Sequence, residues 1–146
     1  MSDSNVEISS TWQGGMEFEA ADSEGVRIRM ASPPAAGSGA SPMELVLMAL
    51  AGCTGMDVIS ILEKKRQGAR SLEIRVRGKR AEDHPRIYTE IEVEYILSGE
   101  NLTPEAVARA IELSETKYCS VGGMLTRAAR IHTSFRIVPL EGEKHE

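Results

Sequence analysis

The chain has 146 residues, of which 41% are hydrophobic and only 4% aromatic, and it carries a net charge of −5. That length suits one domain burying roughly two-thirds of its unfolded surface, with aliphatic residues and methionine filling most of the core. The negative balance argues against nucleic acid as a partner, because phosphate binding needs a basic footprint; the clusters Lys64-Lys-Arg66 and Arg75 to Arg80 are interleaved with acidic residues and read as a helix end and a solvated strand face.

The first thirty residues read as strands. Val6 to Trp12 runs to a turn at Gly14-Gly15, and Met16, Phe18 and Ala20 then alternate with Glu17 and Glu19. After Asp22-Ser-Glu-Gly25, a second turn, Val26, Ile28 and Met30 face one way with Arg27 and Arg29 opposite. Ser32 to Ala40, rich in Pro, Gly and small residues, reads as a mobile loop placed to rim a site.

A long helix follows. Ser41 is an N-cap, Pro42 suits the first helical position, and Glu44 completes a Ser-x-x-Glu capping box. From Met43 to Ala51 only Glu44 is polar, so this half is expected to be buried all round. Beyond Cys53 the pattern turns amphipathic, with Met56, Ile59 and Leu62 expected inside, and basic residues then Gly68 expected to close the helix.

Leu72, Ile74 and Val76 mark a strand, and after a turn at His84-Pro85 Ile87, Thr89, Ile91, Val93, Tyr95 and Leu97 are expected to share one face of another. Thr103-Pro104-Glu105 caps a helix carrying Val107, Ala110 and Ile111. A helical segment from Ser120 to Ala129, interrupted at Gly122-Gly123, precedes a last strand from Ile131 to Val138. The layout is α+β, with helices segregated from antiparallel sheet, as a single domain over residues 1–146.

The apolar run Leu45 to Cys53 is short of the ~20 residues that cross a bilayer, so no membrane association is expected. The polar, acidic start Met1-Ser-Asp-Ser-Asn-Val-Glu7 does not resemble a secretory leader. The expected location is cytoplasmic, where paired cysteines lean towards transient or catalytic use.

Cys53 lies within the apolar helix and Cys119 where a second helical pattern breaks, and the chain has two cysteines in all. Two readings are open for each: a small buried hydrophobe, or a reactive thiol, with the helix break beside Cys119 lending some activation. His84, His132 and His145 lack metal-ligand spacing, so no metal is expected. Glu44 is explained by capping, which leaves room for a second role. Glu44 and Cys53 are about 13.5 Å apart along the helix axis and on opposite faces. If both serve one site, the glutamate must come from a second copy.

The run Ser41-Pro-Met-Glu-Leu-Val-Leu-Met-Ala-Leu-Ala-Gly-Cys53, followed by Lys117-Tyr-Cys-Ser-Val121, resembles the OsmC/Ohr family of osmotically induced and organic hydroperoxide resistance proteins. The likeness extends over nearly the whole chain. Pro42-Met-Glu-Leu-Val-Leu and Asp57-Val-Ile-Ser-Ile-Leu, with Lys-Tyr-Cys-Ser-Val, resemble its YhfA-like branch. The resemblance implies the OsmC-like fold, antiparallel sheets packed around a long central helix in an intertwined homodimer with sites at the subunit interface. It assigns Cys53 as the peroxide-attacking cysteine, Cys119 as the resolving cysteine and Glu44 as the glutamate supplied by the partner. The family also pairs its glutamate with an arginine; Arg29, then Arg27, stand nearest that role without aligning to it.

The activity implied is a thiol-dependent peroxidase for organic hydroperoxides, in defence against oxidative stress. It needs no cofactor, only a dithiol reductant as co-substrate. A redox sensor or small-molecule-binding protein on the same scaffold, with little turnover, is the alternative the missing arginine suggests.

Overall fold

The computed structural model describes residues 5–140. Chain contacts part into two compact units, residues 1–46 and 47–146, and each is described by itself.

The first unit is an antiparallel meander of β1 (Ser9–Gly14), β2 (Glu17–Ala21) and β3 (Arg27–Ala31). β1 starts later than the alternation suggested, leaving Val6 and Ile8 outside it and exposed. The turn before β3 is closed by Asp22, whose Oδ1 accepts from the backbone N–H groups of Glu24 and Val26, both at 2.9 Å. The Pro-rich stretch expected to be a mobile loop folds back instead, since Ala31 N donates to Ala40 O at 3.0 Å and Ala35 bridges Gly39. Gly39 has a φ of 133°, and any Cβ there would collide with the Arg29 carbonyl.

Helix α1 (Pro42–Lys64) begins with the expected capping box: Glu44 N donates to Ser41 Oγ at 3.1 Å and Ser41 N to Glu44 Oε1 at 2.9 Å. Its first half is not buried all round. One stripe, Leu50, Thr54, Val58 and Leu62, is buried at i, i+4 spacing, whereas Met48 is 55% exposed. Beyond Cys53, Leu62 is buried as expected, but Met56, also expected inside, is 75% exposed. The uninterrupted apolar run also understates the helix, because an 18-residue window of α1 has a mean hydropathy of 2.0, long and apolar enough to cross a membrane. Those two properties do not separate a membrane span from a core helix, and the buried stripe packs α1 into the core of the second unit. The helix closes at Arg66, not Gly68: Arg66 has a φ of 58° and Gln67 N donates to Leu62 O at 2.9 Å, the six-to-one bond of a Schellman end.

The second unit adds β4 (Ala69–Arg80), β5 (Tyr88–Gly99), α2 (Pro104–Leu113), α3 (Ser120–Leu125) and β6 (Arg130–Ile137). The sheet order is β4-β5-β6. β4 and β5 are antiparallel, but β6 runs parallel to β5, correcting the antiparallel expectation. The helices between them return the chain to the starting end of β5, and such a crossover makes a parallel neighbour. Ile91, Val93, Tyr95 and Leu97 are buried as expected, but at the start of β5 Tyr88 is buried while Ile87 and Thr89 are exposed. A register shift at Lys79/Arg80 inverts the alternation there. With Val107, Ala110 and Ile111 of α2 these side chains form the core, each worth about 1.5–3 kcal/mol when large and fully buried.

Gly122 and Gly123 lie inside α3 and do not interrupt it. The interruption is earlier, where Ser114–Tyr118 forms one π-helical turn closed by Cys119 N to Ser114 O at 2.8 Å.

Candidate functional site

Cys53 and Asp57 are four residues apart on α1, which places them on one face one turn apart. Cys119 follows the π turn in extended backbone (φ −77°, ψ 105°) and caps α3, its Sγ accepting from Gly122 N at 3.2 Å. The two sulfurs and a carboxylate oxygen of Asp57 lie within 4.8 Å of one another. Both cysteines are free thiols; Cys53 and Asp57 are half-buried and Cys119 is buried. The whole cluster belongs to the second unit.

Burial pushes the Cys119 thiol up to about 11 against the Gly122 N–H bond, and the Cys53 thiol and the Asp57 carboxylate raise it further. An anion thus stands where the family resemblance anticipated a cation. Arg27 and Arg29 are engaged within the first unit, Arg27 with Glu19 at 3.0 Å and Arg29 with Glu17 at 3.5 Å. Glu44 holds its capping bonds.

Behind the cluster runs a line of buried hydroxyls. Tyr95 OH and Thr54 Oγ1 are 2.6 Å apart, Thr54 Oγ1 and Ser114 Oγ 2.9 Å, and Ser114 Oγ donates to Asp57 Oδ2 at 2.9 Å. A hydroxyl has one proton. Ser114 gives its proton to Asp57, so Thr54 must donate to Ser114 and Tyr95 to Thr54. The line therefore has one polarity and ends on the carboxylate. Burial pushes the Tyr95 phenol up to about 12, which keeps it a donor.

A cavity of about 80 Å³ adjoins Cys119, lined by Leu50, Val93, Ile131, Thr133 and Glu115 among others. Burial raises the Glu115 carboxyl above its ordinary range, opposed by a 3.4 Å bond from Thr133. Asp57, Thr54, Ser114, Tyr95 and Glu115 were not among the residues expected from sequence. The one usable signal was Cys53-x-x-x-Asp57, a thiol and a carboxylate one turn apart on an apolar helix. The described histidines take no part in the cluster, His132 pairing with Glu90 at 3.0 Å; His145 lies outside the described residues.

The profile of the family described as OsmC-like protein matches residues 35–134. The chain belongs to the OsmC-like family. It is 41% identical to protein YhfA of Escherichia coli K12 over 127 residues, 87% of this chain and 94% of that one. A hypothetical protein of Aquifex aeolicus VF5 is 34% identical, with a TM-score of 0.84 over 94% of this chain and 98% of its own. The organic hydroperoxide resistance protein OhrB of Bacillus subtilis, 15% identical, shares the fold with a TM-score of 0.63 over 90% of this chain and 98% of its own. Membership supports a redox or peroxidase-related role and bears out the α+β, OsmC-like fold.

Proposed function

We propose that this OsmC-like protein is a thiol-dependent peroxidase that reduces organic hydroperoxides. The observation that carries this reading is the approach of Cys53 and Cys119, one thiol half-buried and reachable, the other buried beside it. A soft sulfur nucleophile suits the weak peroxide bond. Cys53 attacks one peroxide oxygen, the O–O bond breaks, and the products are an alcohol and a Cys53 sulfenic acid. The Cys119 sulfur then displaces that hydroxyl, with loss of its thiol proton, giving water and a Cys53–Cys119 disulfide. A dithiol reductant returns both thiols by exchange.

Asp57 suits the second step. Its carboxylate is close enough to take the Cys119 proton and pass it to the departing hydroxide. A homodimer is part of the proposal, with Glu44 of the partner subunit completing the site. Large apolar side chains left exposed on the single chain support it: Trp12, Met16 and Phe18 in the first unit, Met48 and Met56 in the second.

A second reading is favoured by one observation, the carboxylate beside the thiols. It disfavours thiolate, and a scaffold built this way serves a slow redox sensor or binder of small apolar molecules in the cavity beside Cys119. Intact-mass spectrometry after one equivalent of cumene hydroperoxide decides between them. Rapid loss of two hydrogens, abolished in Cys53→Ser, supports the peroxidase; an unchanged mass overturns it.

A further inference from the structure

The same three side chains have the makings of a soft-metal site, on grounds independent of peroxide chemistry. Cys53 and Asp57 repeat the i, i+4 placement by which two ligands on one helix face grip a metal ion. Cys119 supplies a third donor from a separate element, fixed by the Gly122 N–H on its sulfur. Gly122 keeps room for that sulfur, since a Cβ there would lie 3.3 Å from it. Around a tetrahedral zinc ion, sulfur and oxygen donors stand about 3.3–3.8 Å from one another. The donors here already lie within 4.8 Å, so side-chain rotation can close them on an ion.

We propose that the reduced protein binds one Zn²⁺-like divalent cation through Cys53 Sγ, Cys119 Sγ and an Asp57 carboxylate oxygen, with the fourth position open. Two thiols select a borderline or soft ion, because Mg²⁺ and Ca²⁺ demand oxygen donors. Outer contacts of the kind that orient metal ligands are present: Ser114 holds Asp57 Oδ2, leaving the other oxygen to bind, and the N–H of Gly122 holds Cys119 Sγ. Half-burial of Cys53 and Asp57 gives an entry path. Binding releases one proton from each thiol and involves no electron transfer. The cation and a Cys53–Cys119 disulfide claim the same two sulfurs, so each state excludes the other.

The test uses the full chain, reduced and desalted without oxygen, titrated with Co²⁺ as a spectroscopic probe and then with Zn²⁺. Expected are thiolate-to-cobalt charge-transfer bands and tetrahedral d–d bands saturating at one equivalent, both removed by Zn²⁺. Zn²⁺ should also protect both cysteines of the wild-type protein from N-ethylmaleimide, as read by peptide mass mapping, a measurement that needs no variant. Asp57→Asn, with its fold checked by circular dichroism, should keep the sulfur bands while binding more weakly by at least the ~10-fold that loss of even an outer-shell partner costs. Absence of the charge-transfer bands together with unprotected thiols overturns the proposal. So does an Asp57→Asn protein, folded as wild type, that binds as tightly as the parent. A protein that binds cobalt but turns over no hydroperoxide upholds this site while removing the peroxidase reading.

Discussion

Ser114, fully buried, donates its one hydroxyl proton to Asp57 Oδ2 at 2.9 Å. That bond ties the π turn to α1 and sets the direction of every other bond in the line. Ser114→Ala leaves Thr54 without its acceptor and Asp57 without its donor. A loss of about 1–3 kcal/mol is expected, read from urea unfolding midpoints. Tyr95→Phe, which removes only the first donor, should cost less.

Asp57→Asn replaces a charge that raises Cys119 with a neutral amide. Burial remains the larger cause, so the thiol should move part of the way down from about 11. At a mildly alkaline pH the thiolate fraction should rise, and Cys119 should alkylate faster in the variant. A pH profile of alkylation, resolved by peptide, measures it; an unshifted profile would remove Asp57 as an electrostatic neighbour. Under the peroxidase mechanism the same variant should slow disulfide formation after sulfenic acid appears, because the proton acceptor is gone.

Alkaline stability carries a linkage signature. Cys119 is raised from 9.0 to about 11 in the folded protein, so between those values the unfolded chain has lost the proton that the folded chain keeps. Its contribution is therefore fully present below about pH 9 and is lost as pH rises through about 11. Tyr95 adds a second loss between 10.0 and about 12. Cys119→Ser should flatten the lower part of that decline and leave the upper part, which denaturant midpoints taken across the range will show.

Glu44 can be separated into its two roles. Glu44→Gln keeps an oxygen acceptor for Ser41 N and should change stability little, as Glu and Gln both complete a capping box. Glu44→Ala loses that bond and should cost about 0.5–1.5 kcal/mol, the net worth of one hydrogen bond. If the carboxylate also serves a neighbouring subunit's thiols, both variants lose hydroperoxide turnover alike. Turnover retained in Glu44→Gln would confine the residue to capping.

Arg66 closes α1 with a positive φ that side chains other than glycine's adopt at a cost. Arg66→Gly should stabilise the protein by about 1 kcal/mol or less, readable as a higher denaturation midpoint.

What the sequence made legible was local. Ser41 and Glu44 announced the start of α1, Thr103 that of α2, and the alternation from Ile91 to Leu97 one face of β5, because neighbours in the chain decide those features. The closure at Arg66 was missed because a nearby glycine offered the cheaper position two residues on. The expectation that α1 was buried all round came from composition; composition does not say how many faces find a partner within one chain. The parallel setting of β6 follows from where three helical segments deposit the chain, which no strand pattern encodes. The cluster was half visible: the count and placement of the cysteines, and then the family likeness, drew attention to Cys53 and Cys119. Asp57, Ser114, Thr54 and Tyr95 come from three elements, and each alone looks like an ordinary polar residue.

The π turn at Ser114–Tyr118 holds one residue more than an α-helical turn would. Wound as ordinary α-helix, the same residues would carry Cys119 about 100° further round, off its bond to the Ser114 carbonyl. Ser114 would keep its place against Asp57 while the sulfur of Cys119 swung away from Cys53. The pairing of the two thiols therefore depends on how the backbone winds as much as on residue identity. A substitution in this stretch that favours ordinary α winding would disable the thiol pair while sparing both cysteines.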